Sequence, residues 1–108
     1  MRNFDNLPVM AWDSQNSALR ARAQIMHEEP LILEMGSGFD IAVDDEACKC
    51  QSIDDGKHFI GCDPKSTLSL LADANHLPAL AKVGEVAEQA GMLVALDRTR
   101  SRIIIYES

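Results

Sequence analysis

The sequence predicts an α+β fold, a two-layer sandwich in which about three helices pack on a mainly antiparallel sheet built from hairpins, in the order α-ββββ-αα-ββ. Three observations carry this. Two glycine-bearing turns, Gly36-Ser37-Gly38 and Asp54-Asp55-Gly56, each separate two runs of alternating apolar residues, as β-hairpins require. Three other segments place apolar residues at helical spacing. These helical segments stand apart from most of the strands, whereas a parallel βαβ sheet needs a helix between successive strands. At 108 residues, 46% hydrophobic and 25% charged, the chain reads as one globular domain over residues 1–108, with residues 1–12 as an N-terminal arm.

Taken in order, residues 1–12 lack helical periodicity and contain Pro8, so they suit an arm with a short edge strand. Asp13 or Ser14 offers a cap for a first helix ending near Glu29, before Pro30. Ala18, Leu19, Ala21, Ala23, Ile25 and Met26 give that helix a broad apolar arc, interrupted near its middle by Arg22. Residues 31–35 and 39–44 form a first hairpin with Leu31, Leu33, Met35, Phe39, Ile41 and Val43 on its core face, and Ile32, Glu34, Asp40 and Ala42 on the other. Residues 47–53 and 57–62 form a second. Asp63-Pro64 opens a helix through about Ala74, and Pro78 opens another that Gly91 stops. Residues 92–96 and 103–106 are the last strands, joined by the polar segment 97–102.

The string Leu31-Ile32-Leu33-Glu34-Met35-Gly36-Ser37-Gly38 resembles the first motif of S-adenosylmethionine-dependent methyltransferases, in which a strand ends in an acid and a glycine loop cradles the cofactor. The resemblance covers eight residues. Residues 39–43 alternate like a strand where that family has a helix, and the chain is too short for the family's usual α/β sheet. The string is therefore read as a hairpin turn.

Seventeen acidic against ten basic residues give a net charge of −7, which repels phosphate backbones and excludes general nucleic-acid binding. No apolar run approaches the roughly 20 residues of a membrane span. The N-terminal residues have no secretory pattern, so the expected location is cytoplasmic, where Cys48, Cys50 and Cys62 stay thiols and no disulfide is expected.

Four groups of side chains are candidate sites. Cys48, Cys50, His58 and Cys62 hold the ligand inventory of a Cys3His zinc centre, and a three-residue turn at Asp54-Asp55-Gly56 would put all four on one sheet face. His58 spans too far along a strand to activate Cys62, and strict strand geometry strains a four-ligand cage. Zinc is therefore the alternative, and the favoured reading has no cofactor. Asp40, Asp44, Asp45, Glu46, Asp54 and Asp55 crowd six carboxylates into sixteen residues, a face suited to a basic protein. Arg98, Arg100 and Arg102 alternate, so an extended segment aims all three the same way, toward an anion or the acidic face of a second copy. Arg22, near the middle of helix one's apolar arc, either lays its stem along the core while its head reaches water or a buried acid, or marks that face as shared with a second chain. No nucleophile elbow or helical His-Glu-x-x-His is present. The expected function is thus a non-enzymatic protein-binding module, inhibitor- or adaptor-like, that self-associates as a dimer, with a zinc module or a small-molecule-binding enzyme as alternatives.

Overall fold

The computed structural model describes residues 4–13 and 16–108. It is an α+β two-layer sandwich around one six-stranded sheet. The strands are β1 (Val9–Ala11), β2 (Leu31–Glu34), β3 (Gln51–Ile53), β4 (His58–Cys62), β5 (Met92–Asp97) and β6 (Arg102–Glu107). Their order across the sheet is β1-β2-β6-β5-β4-β3, with every neighbouring pair antiparallel except β1 and β2. The helices are α1 (Ser17–Met26), a single turn α2 (Asp45–Cys48), α3 (Pro64–Asn75) and α4 (Pro78–Gln89).

The strongest local signals in the sequence form as expected. Asp63 caps α3, its carboxylate accepting from Ser66 N at 2.9 Å, and Pro64 takes the first helical turn where no amide partner is needed. Burial of Leu68, Leu71, Leu80, Val83 and Ala87 between α3, α4 and the sheet follows the helical period. α3 and α4 approach closely at Gly84, where an added Cβ would lie 2.7 Å from Pro64 O and 2.8 Å from Leu68 Cβ.

α1 departs from its expected face. Its buried side is the narrower set Ser17, Ala18, Ala21 and Ile25, while Leu19 and Met26 are 65% and 66% exposed. The helix starts after Asn16 without a side-chain cap and stops at Met26, three residues early, because Glu28 adopts a left-handed backbone. Asp13 is not the cap, and Ser14 lies outside the described residues.

The first hairpin does not form. β2 pairs with β6 on one side and with the arm strand β1 on the other, so no edge is left for residues 39–44. Gly36 and Gly38, both with left-handed φ, turn the chain off the sheet. Ile41 is buried nevertheless, and Phe39 and Val43 pack against the core from a loop. Side chains satisfy that loop's backbone: Asn75 bonds both the N–H and the C=O of Asp40, at 2.7 and 2.8 Å, and Arg98 Nη2 donates to Ile41 O at 2.9 Å.

The second hairpin is shorter than expected because Asp44 caps α2, accepting from Glu46 N and Ala47 N, and so draws residues 45–48 into a helical turn. Its turn has four residues, 54–57, closed by Lys57 N donating to Asp54 O. Ile53 accordingly faces His58 rather than Lys57. β4 bulges between Phe59 and Cys62, where Gly61 has φ +66°, and this turns Cys62 inward. Cys50 and Cys62, Cα atoms 4.2 Å apart, are joined by a disulfide, contrary to the expectation of three thiols; Cys48 is buried and unbridged.

Alternation along the strands sends Leu31, Leu33, Val94, Leu96, Ile103 and Ile105 toward the helices. Ile32, Ala95, Ile104 and Tyr106 make a second apolar cluster on the outer face, joined by Phe4, Leu7, Ile60 and Leu93. Ile32 is therefore covered, although the sequence places it on the hairpin's wetter side.

Replacing Gly84 by alanine should destabilise the protein, since overpacking of this kind costs about 1–3 kcal/mol against a helical gain of roughly 0.5–1 kcal/mol. Urea unfolding would measure it; equal or greater stability would show that α3 and α4 have slack at this crossing.

Candidate functional site

The outer face of the sheet carries two rows of side chains set by strand register. Ile32, Ile104 and Ala95 stand side by side across β2, β6 and β5, with Gln51 and Ile60 paired in β3 and β4. One step toward the sheet's end, Glu34, Arg102, Asp97 and His58 stand side by side across β2, β6, β5 and β4. An apolar strip thus runs directly into a charged one.

N-terminal to β1, residues 4–7 form a tight turn, Leu7 N donating to Phe4 O, and lay Phe4 against Tyr106 with ring centroids 4.9 Å apart. Tyr106 is fixed in turn, its hydroxyl oxygen accepting from Gly61 N at 3.0 Å. The arm covers only part of the outer face. Beside it lies a cleft of about 630 Å³ with Phe4, Ile53, Ile60, Ile104 and Tyr106 as apolar walls and His58, Asp97 and Arg100 at its polar end.

Asp97 organises that end. It is 1% exposed. Its Oδ1 accepts from Thr99 N (2.9 Å), Thr99 Oγ1 (2.6 Å) and Arg100 N (3.2 Å), and Oδ2 accepts from Arg100 Nε (2.9 Å). His58 Nε2 lies 3.3 Å from Oδ1. Burial pushes this carboxyl up, but the bonds from Thr99 and Arg100 and the charge of His58 together hold it below its ordinary value. On the other side of the ring, His58 Nδ1 is 3.4 Å from Asp54 Oδ2, in ion-pair range but out of hydrogen-bond alignment. Two carboxylates bracket the imidazole.

The structure separates the arginines that the sequence groups. Arg98 donates to Gly56 O (3.0 Å) and Ile41 O and stacks on the Phe59 ring, so it staples two loops. Arg102 directs Nε and Nη2 to one oxygen of Glu34. Arg100 alone reaches the cleft, and the three do not aim the same way because residues 98–101 form a tight turn, with Arg102 already in β6, rather than one extended segment. Arg22 is half-buried on α1 with its Nε enclosed and unpartnered.

The zinc candidates are divided as well. Cys50 and Cys62 are bonded to each other and pack against the helix-side core, whereas His58 points to the outer face. Among the described residues no group of three or more His, Cys, Asp or Glu side chains is placed to hold a metal ion. Of the acidic residues, Asp44 is spent on capping α2 and Asp54 faces His58, while Asp40, Asp45, Glu46 and Asp55 lie exposed.

Sequence reasoning did not single out Asp97, Phe4, Ile60, Ile104 or Tyr106. One signal was available for Asp97: an aspartate two residues before a threonine at a strand end, the pattern of an Asx turn. In comparisons with known proteins, no family model, curated sequence or solved structure matches the chain.

Because the carboxyl of Asp97 is depressed in the folded state, it contributes stability that is present above its unfolded value near 3.8 and is lost as pH falls through the lower folded value. Thermal melts in acid should therefore show the wild type losing stability below about pH 4 more steeply than Asp97→Asn; parallel profiles would show that the depression is not real.

Proposed function

We propose that this chain is a non-enzymatic binding module whose site is the cleft between the N-terminal arm and the outer face of the sheet, and that it takes a small molecule with an apolar body. One observation carries this reading: in 108 residues, a cleft of about 630 Å³ lies open over an apolar sheet face, with polar groups gathered at one end. That volume falls within the roughly 300–1,000 Å³ range of small-molecule sites, and apolar walls with a few fixed polar groups are their usual lining. Binding rather than turnover is supported by how the polar groups are used. Both oxygens of Asp97 are occupied by protein donors, and His58 stands between two carboxylates with, among the described residues, no serine or thiol beside it in the cleft.

A cytoplasmic setting belongs to the same proposal with Cys50 and Cys62 reduced; a native bridge between them goes with a non-reducing compartment. No helix among the described residues is long and apolar enough to cross a membrane.

Self-association as a dimer is a second reading, favoured by α1. Leu19, Ala23 and Met26 form an exposed apolar stripe on that helix, beside Arg20 and Arg22, in a stretch with no acid from Ser17 to Met26. The occupant this face suits is a second copy, whose exposed Asp45, Glu46 and Asp55 have the opposite charge. The same acids keep a basic protein partner within the proposal.

Two expected outcomes follow. Titration with the neutral probe 3-phenylpropanamide should shift the amide resonances of Phe4, Ile60, Leu96, Ile104 and Tyr106 and leave those of α3 and α4 in place, and Ile60→Trp, which fills the cleft, should abolish the shifts without lowering the melting temperature. Scattered shifts, or none up to about millimolar probe, a free energy near −4 kcal/mol, would overturn the cleft reading. For α1, the double change Leu19→Ser and Met26→Ser should convert a dimer to a monomer in sedimentation at unchanged thermal stability; a wild type that is monomeric at every concentration would remove the second reading.

A further inference from the structure

We infer that the ligand of the cleft is a small organic carboxylate, an apolar body ending in one anionic group that Arg100 receives. This rests on the cleft reading above and adds the ligand's charge and orientation.

Arg100 is held in place by Asp97. Its backbone N–H and its Nε both donate to Asp97, to Oδ1 and Oδ2, so the guanidinium is fixed by one edge to a buried carboxylate. A guanidinium has five donors in a planar fork. With Nε engaged, the Nη1 and Nη2 edge remains, and the side chain is half-exposed at the cleft. Among the described residues, the one acid near that edge is Asp5 on the arm, whose Oδ1 is 3.9 Å from Nη1, inside ion-pair range but beyond hydrogen-bond distance. Arg98 and Arg102 differ: each places two guanidinium nitrogens on protein oxygens within 3.2 Å. Arg100 is thus a pre-oriented cation lining an apolar cleft with its Nη1 and Nη2 edge not hydrogen-bonded among the described residues, and a carboxylate is the group that matches such a fork in two parallel bonds.

Length and direction follow from the walls. A carboxylate on the Nη edge lies at the polar end, and its apolar body then runs along Ile104 and Ile60 toward the Phe4 and Tyr106 rings, whose faces suit an aromatic or branched group. The chain's net charge of −7 repels anions at long range, so the preference has to arise in contact, from Arg100. Asp5 works against it. Its charge sits beside the same nitrogen that a ligand carboxylate would use, and removing that charge should tighten an anion and leave a neutral ligand unaffected.

Paired probes test this on the full chain. 3-Phenylpropionate and 3-phenylpropanamide have nearly the same shape and differ in charge, and their dissociation constants are read by resonance titration at neutral pH. Wild type should bind the carboxylate about tenfold more tightly than the amide, as charge-assisted bonds exceed neutral ones by about that factor. Arg100→Gln should erase the difference by weakening the carboxylate alone. Asp5→Asn, which leaves the Arg100 to Asp97 contact in place, should tighten the carboxylate by several-fold and leave the amide unchanged. If the amide binds in the cleft as tightly as the carboxylate, or if Arg100→Gln weakens both alike, the carboxylate assignment is overturned while the cleft reading stands. If neither probe binds, the cleft reading falls and the assignment with it.

Discussion

The centre of this sheet is apolar on both faces, and most of the molecule's arrangement follows from that. β5 runs Met92 to Leu96 and β6 runs Ile103 to Tyr106 without a polar residue, so strand alternation sends apolar side chains to both sides of the two central strands. A two-layer sandwich covers one side. Burying a large aliphatic side chain is worth about 1.5–3 kcal/mol, so leaving Ile104, Ile32 and Tyr106 wet would forfeit a large part of the stability of so small a chain. Residues before β1 supply the missing cover, with Phe4 and Leu7 folded over the outer cluster. A strap of a few residues is narrower than the face it covers, and the cleft is what it leaves open.

The polar end of the cleft has the same origin. Register continues past the apolar row into Glu34, Arg102, Asp97 and His58, so charged groups meet at the point where the strands run out. Asp97 is buried there because the β5–β6 turn folds Thr99 and Arg100 back onto it. A buried carboxylate is costly unless its oxygens are met by donors, and here the turn's own backbone and side chains meet them. The same bonds fix the guanidinium of Arg100. An interaction that closes a tight turn thereby also orients a cation at a cleft.

Much of this fold was legible in the sequence wherever a local signal and a tertiary need agreed. α3, α4, β5 and β6 begin and end within about two residues of the positions set by Asp63-Pro64, Pro78, Gly91 and the alternation of residues 92–106. Residues 36–44 show the opposite case. Their alternation at Phe39, Ile41 and Val43 is genuine and those side chains do pack inward, but β2 already has β1 and β6 as neighbours, and Asn75 and Arg98 provide from a distance the bonds a strand partner would have given. Pairing of that kind is invisible to a local pattern. The disulfide was missed for a related reason: the length of the 54–57 turn and the bulge at Gly61, which together decide whether Cys50 meets Cys62, are not fixed by residue types alone. Within the site, Arg100, His58 and Asp54 were singled out for other purposes, and Asp97 was passed over as part of a polar connection.

The cleft depends most on the arm lying across the outer face of the sheet, since without that cover the apolar cluster is exposed and the cleft has lost a wall. The most direct measurement is the set of nuclear Overhauser contacts of the Phe4 ring in solution. Strong contacts to the ring of Tyr106, whose centroid is 4.9 Å away, together with contacts from Leu7 to the outer cluster, are the expected result. A Phe4 ring with no contact to Tyr106, on an arm whose amides exchange at unprotected rates, would contradict it.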